Sequence, residues 1–254
     1  MAIPIGSHEI HAFVGPPEEY DLMGAMQFCL AYTFGLRAHH RLLDFGCGSL
    51  RAGRFLMMYL MPGHYFAIEP NKWLIREAVS SELGPEFLAL RKPEFAYVED
   101  FSVPFGVSFD FIIAQSILSH TGPTLTATAL ANMRGALAPN GLLLVTFCEG
   151  LGPQPEGWLY PGCIHYHRRQ IAAFLRRAEL HFIRLPWFHP RQVWYACSTN
   201  LARLPQRWAL RYLHGAVLNV PEWDIRQQSL WRRFRRACGM ALSRLVTTGG
   251  LATP

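Results

Sequence analysis

The sequence predicts an α/β fold, a doubly wound and mostly parallel seven-stranded sheet with helices on both faces, an N-terminal helix and a helical C-terminal tail. Three observations predict it. Strand and helix patterns alternate between residues 41 and 147, the strands are short continuous apolar runs, and two β-rich stretches come late in the chain. Alternation of this kind implies parallel crossovers, and strands apolar at every position suit a sheet covered on both sides.

The elements are expected in this order. A helix over residues 18–36 follows Pro16-Pro17, with Leu22, Met23, Met26 and Leu30 among its apolar positions. A strand over 41–45 leads to a helix over 50–60, then a strand over 64–68 and a helix over 71–80 that Asn71 can cap. Strands over 94–98 and 109–114 come next, then a helix over 124–137. Pro139-Asn140-Gly141 turns the chain into a strand over 142–147. A helix over 168–178 and strands over 181–186 and 192–198 complete the set, the last two suiting a hairpin with an antiparallel strand.

Composition limits the function classes. Half of the 254 residues are hydrophobic and 17% are charged, which argues against disorder. No apolar run approaches the ~20 residues of a spanning helix, and the N-terminus shows neither the basic start nor the apolar stretch of a signal peptide. Six scattered cysteines without a C-x-x-C pair read as reduced thiols, so a cytoplasmic protein is expected. Residues 1–200 hold 15 basic and 16 acidic side chains, whereas residues 201–254 hold nine arginines and two acids. The nearly neutral body, taken as one domain over 1–200, disfavours nucleic acid as a partner. The extension over 201–254 carries a basic amphipathic pattern from Leu230, with Trp231, Phe234, Cys238 and Leu242 opposite Arg232, Arg233 and Arg236. Such a helix could meet an anionic membrane surface or an acidic partner, or pack on its own domain.

The strongest local signal is Asp44-Phe45-Gly46-Cys47-Gly48-Ser49-Leu50-Arg51, an acid ending a buried strand and a Gly-x-Gly bend leading towards a helix. Glycine at 46 and 48 lets the backbone turn and approach a ligand. Such a bend alone also fits an ordinary strand-to-helix turn. Glu69, ending the next strand, is at the spacing of an acid that binds the two hydroxyls of a ribose. Arg51 stands where a dinucleotide fingerprint needs its third glycine, which disfavours a pyrophosphate cofactor.

These residues resemble the class I S-adenosylmethionine-dependent methyltransferases, which are Rossmann-like. Asp44 to Gly48 resembles their first motif, Glu69 their ribose acid, and Glu99-Asp100 the acid that meets adenine. The run from Phe109 to Ser116 is similar to their fourth-strand motif, and residues 137–144 to the turn and strand that follow. Gly48-Ser49-Leu50-Arg51 and the phrase from Gly63 to Pro70 look like a bacterial subgroup of uncharacterised enzymes. Leu50 and Asn140 depart from the family at positions usually held by glycine. The resemblance implies S-adenosylmethionine as cofactor, held by Asp44, Gly46, Cys47, Gly48, Arg51, Glu69, Asp100 and Gln115.

Among the acceptor-side candidates, His120 is the expected general base, since histidine titrates near neutral pH. Tyr160, His165 and His167 are expected in an acceptor pocket wall. Arg51 could pair with the cofactor's carboxylate or be solvated, and Tyr20 could cover the donor or simply pack. No metal is expected, because His165-x-His167 lacks a third ligand. The resulting expectation is methyl transfer to a small molecule, with a hydroxyl as the acceptor group that suits a histidine base. A nicotinamide-dependent oxidoreductase and a non-catalytic binding module are the alternatives.

Overall fold

The computed structural model describes residues 3–213 and Gly215. The basic amphipathic pattern from Leu230 lies outside the described residues. Seven strands form one sheet in the order β3-β2-β1-β4-β5-β8-β7. They are β1 (Leu42–Phe45), β2 (Tyr65–Ile68), β3 (Glu94–Ala96), β4 (Phe109–Ala114), β5 (Leu137–Glu149), β7 (His181–Arg184) and β8 (Val193–Ser198). A two-residue strand, β6 (His165–Tyr166), pairs with the end of β5. The pairings β1–β2, β1–β4, β2–β3 and β4–β5 are parallel, and β8 runs antiparallel to both β5 and β7. The expected sheet and its closing hairpin are therefore present.

Neighbouring strand residues feed opposite cores. Leu42, Phe111, Leu142 and Trp194 join α2 (Tyr20–Thr33) and α3 (Gly53–Tyr59) on one face. Leu43, Ile112, Leu143 and Tyr195 join α6 (Pro123–Ala136) and α7 (Arg168–Arg177) on the other. Period-two side-chain direction, with both directions apolar, is the reason these strands are unbroken hydrophobic runs. Leu204, Leu210 and Leu213 also pack on the first core. Among the described residues, no helix is long and apolar enough to cross a membrane, and five cysteines are free thiols.

Several elements differ from expectation for local reasons. The helix expected from residue 50 begins at Gly53, because Leu50 has φ 61° and cannot continue a right-handed helix. Asn71 makes no cap to α4 (Lys72–Ala78); its side chain donates to Glu69 instead, at 2.8 Å. The expected turn at 139–141 is an irregularity inside β5, where pairing jumps from Phe109↔Leu137 to Phe111↔Leu142. Two helices had no counterpart in the sequence reading, α1 (Ile10–Phe13) and α5 (Pro85–Arg91).

Candidate active site

The strand order reverses between β1 and β4, and open α/β sheets hold ligands at the carboxyl ends of such strands. A cavity of about 450 Å³ lies there, within the range of small-molecule sites. Its floor is the bend after β1. Gly46 and Gly48 have φ of 79° and 56°. A Cβ at Gly46 would lie 2.1 Å from Ile117 Cδ1, and one at Gly48 would lie 2.5 Å from Val14 Cγ1. Glycine is thus required both for conformation and for close approach.

Glu69 meets this bend directly. Its Oε2 accepts the Gly48 N–H at 3.1 Å, while Oε1 accepts from the Asn71 N–H and side chain, both at 2.8 Å. Burial raises its pKa, and the bonds from Asn71 and Gly48 oppose that rise. Beside it, buried Asp44 accepts from the Tyr65 hydroxyl at 2.8 Å, which ties β1 to β2. Desolvation lifts the Asp44 pKa to about 6 despite this bond and the nearby Arg51. Cys47 lines the same wall as a buried thiol whose pKa is raised by burial.

Arg51 is buried, donates from Nη1 to the Val14 carbonyl at 2.8 Å, and lines the cavity. Its Nε has no partner. Gln27 Oε1, Gln115 Oε1 and the Tyr160 hydroxyl are likewise buried and unpaired, and all three residues line the cavity. Buried polar groups are ordinarily satisfied, so this concentration marks a place where a polar ligand supplies the partners. The carboxylate, ammonium and ribose hydroxyls of S-adenosylmethionine offer both donors and acceptors of the kind these atoms lack. The residues present fit that group.

Another part of the cavity wall is built on the loop after β4. Residues 157–164 are laced to it by Gly122 N–H to Gly157 O (2.8 Å), Leu159 N–H to His120 O (2.8 Å) and Ile164 N–H to Ser119 O (2.7 Å). The His120 ring sits inside this lacing, with Nδ1 2.6 Å from Gly162 O and 3.1 Å from Leu159 O. Carbonyl oxygens only accept, so Nδ1 carries the proton and Nε2 keeps its lone pair. Burial lowers the His120 pKa, which favours this neutral form. Trp158 and Tyr160 flank the ring with centroids at 5.4 and 5.0 Å. Desolvation holds the Tyr160 hydroxyl protonated, with a pKa of about 12.

Of the residues singled out from sequence, Asp44, Gly46, Cys47, Gly48, Arg51, Glu69, Gln115, His120 and Tyr160 all line this one cavity. Three expectations need correction. Asp100 is exposed and turns its carboxylate to the Ser102 N–H at 3.0 Å; Glu99 and Phe101 line the cavity in its place. His165 is exposed in β6 and does not line it. His167 is the N-cap of α7, its Nδ1 accepting from the Arg169 N–H, so its ring is spent on the helix start. Tyr20 does not cover the cavity either; its hydroxyl donates to Ser49 O at 2.8 Å and props the glycine bend.

Sequence reasoning missed the segment ahead of α2. Phe13 and Val14 line the cavity, and Ser49 Oγ donates to Ile10 O at 2.8 Å. A four-residue helix has too few turns for a periodic signal. It also missed His189, which contacts Gln115 from outside the cavity lining.

Comparison with known proteins agrees with this geometry. A family model described as "Methyltransferase domain" matches residues 43–143. No curated protein matches the chain. Among solved structures, magnesium protoporphyrin IX methyltransferase of Synechocystis PCC 6803, with bound SAH (S-adenosylhomocysteine), is 14% identical. It superposes with a TM-score of 0.54 over 76% of this chain and 91% of that one. A glycopeptide N-methyltransferase, MtfA, complexed with SAH is 12% identical, with a TM-score of 0.53 over 71% and 90%. The [4+2]-cyclase SpnF is 22% identical, with a TM-score of 0.51 over 63% and 58%. The matched stretch contains β2, β4 and nearly all of β1, and so the glycine bend, Glu69 and His120; over it the chain is similar to a methyltransferase domain, and its fold is that of solved S-adenosylmethionine-dependent methyltransferases.

Proposed function

We propose that the chain transfers the methyl group of S-adenosylmethionine to a hydroxyl of a small-molecule acceptor in the cytoplasm, with His120 as the base. The observation that carries this reading is one shared cavity, in which the Glu69–Gly48 crevice and a neutral histidine with a bare Nε2 form parts of the same wall. Glu69 would take the ribose hydroxyls and Arg51 the carboxylate. When bound, the cofactor supplies a methyl already activated by its sulfonium. The chain's task is then to align the acceptor and keep water out. As the acceptor's O–H bond breaks, Nε2 takes the proton, and Gly162 O and Leu159 O hold the imidazolium through Nδ1–H. The acceptor oxygen would form its new bond to the methyl carbon as the carbon–sulfur bond breaks, the sulfur keeping that electron pair in the neutral thioether S-adenosylhomocysteine.

A small-molecule acceptor is supported by the size of the cavity and by neighbours named for protoporphyrin and glycopeptide substrates. The cyclase among the neighbours is a reminder that this fold also serves other chemistry. Titration calorimetry with S-adenosylmethionine, its demethylated product and NAD tests the donor. Binding of the first two and not the third is expected, and preference for NAD would overturn the reading. His120→Gln should keep donor binding while losing the methyl increment on an acceptor, followed by mass spectrometry. An unchanged transfer rate would remove His120 from the chemistry.

A further inference from the structure

The Gln115 side chain contains a contradiction whose resolution assigns its polarity. Its Nε2 lies 3.2 Å from Nε2 of His189, while its Oε1 is buried with no donor near it. The tautomer of His189 is set on the other side of the ring. The backbone N–H groups of Arg191 and Gln192 both point at Nδ1, at 3.2 and 3.0 Å. An atom receiving two N–H groups must be the bare nitrogen, so in the neutral ring Nε2 bears the hydrogen. The ring is held neutral, its pKa pushed down to about 3 by desolvation and by the charges of Arg191 and Arg51.

Two N–H groups would then face each other across 3.2 Å. The oxygen and nitrogen of an amide are nearly isosteric, so the hydrogen-bond network decides which faces which. Turning the Gln115 amide by half a revolution removes both anomalies together. The oxygen accepts from His189 Nε2–H, and the NH₂ replaces an oxygen that had no donor. Gln115 lines the cavity and His189 does not, so the amide atom turned away from His189 lies on the ligand side.

We propose that His189 is a positioning residue that locks Gln115 with its NH₂ towards the cavity, as a hydrogen-bond donor to the carboxylate end of the methyl donor. This rests on the methyl-donor reading above. Arg51 brings an unpaired Nε–H to the same cavity. Two N–H donors without protein partners on one cavity suit an anionic oxygen pair. A Gln115 locked the other way would present an acceptor and would suit the ammonium instead.

Two measurements on the full chain test this. Nitrogen-detected NMR of the histidines, assigned with His189→Asn, should show His189 with a protonated Nε2 and a bare Nδ1 at neutral pH. A protonated Nδ1 would overturn the lock. Binding of S-adenosylhomocysteine and of 5′-methylthioadenosine, which lacks the amino-acid end, should then be compared in the wild type and in Gln115→Glu. The variant keeps an acceptor for His189 but puts an oxygen where the NH₂ stood. Homocysteine-adduct binding should weaken roughly 10- to 100-fold, as for loss of a charge-assisted bond, with methylthioadenosine binding unchanged. An equal effect on both ligands, no effect, or a tightening would overturn the assignment. A wild type that binds neither ligand would instead overturn the methyl-donor reading, and the tautomer result would stand apart from it.

Discussion

Leu50 holds the place that glycine usually takes in the first motif, yet it keeps the left-handed backbone of that place, with φ 61°. A non-glycine residue there costs about 1–2 kcal/mol. The side chain is 1% exposed and packs in the core beside α3, a burial of about 1.5–3 kcal/mol. Leu50→Gly relieves the first term and loses the second, so urea denaturation should show a net loss of about 1–3 kcal/mol, cavity cost included. A stabilised variant would show that the strain outweighs the packing. Asp44 gives a second residue-scale expectation. Its pKa rises from 3.8 to about 6 on folding, so its contribution to stability is present below 3.8 and lost as pH rises through about 6. Asp44→Asn should therefore melt higher than wild type at pH 7, by ~3 kcal/mol in stability, with the gap closing by pH 4. Residues of this kind were legible where the backbone itself dictates them: Gly46, Gly48 and Glu69 are read from spacing. His167 was misread because a histidine that caps a helix and one that meets a ligand look alike in sequence. Gln27 was not read at all, since it sits on an otherwise apolar stretch of α2 and only its unpaired oxygen reveals it.

Among the elements, the segment over 157–164 does most to aim His120, because its backbone is laced to the loop after β4 on both sides of the histidine. Gly122 is the tight point of that lacing. A Cβ there would lie 2.4 Å from Pro155 O and 2.6 Å from Glu156 Cα, backbone atoms that cannot rotate away. Gly122→Ala should push the segment off the loop and cut kcat by roughly tenfold or more, since a small misplacement of a catalytic group is costly. Donor affinity should fall much less, because the Glu69 crevice lies on β1 and β2 and only Tyr160 of the unpaired cavity groups sits in the displaced segment. Parallel loss of donor affinity, measured by calorimetry, would show that the two halves of the site are not separable. The long-period elements were legible because buried parallel strands and helices with recurring apolar positions write their patterns over many residues. The lacing was not, because it depends on main-chain bonds between segments some 40 residues apart, which leave no residue-type signature. The same holds for β6, two residues long, and for the jump in pairing inside β5 that replaced an expected turn.

On the scale of the whole molecule, the described N-terminal segment closes one side of the cavity. Phe13 and Val14 line it, the Val14 carbonyl receives Arg51, and Trp73 stacks on His8 at 3.9 Å and meets Phe13 edge-on at 5.2 Å. Ile10 and Ala12 are buried, but the rest of the segment is half-buried or exposed and stands outside both cores, the profile of a segment that opens at lower free energy than the sheet. A ligand that needs the segment closed must share that opening equilibrium, so it should protect the segment as well as bind to it. Limited proteolysis should cleave ahead of residue 15 first in the free protein, and saturating S-adenosylhomocysteine should slow that cut while leaving cuts elsewhere in the described body less affected. The same ligand at a hundred times its Kd should stabilise the fold by about 2.7 kcal/mol, and NAD should not. Deleting residues 1–14 should separate the two effects. Arg51 then loses the Val14 carbonyl and the cavity its lid, so donor affinity falls, while the two-faced core, which this segment hardly enters, keeps the sheet folded. Unchanged donor affinity in the truncated protein would mean that the strands and the glycine bend hold the donor without help from the N-terminus.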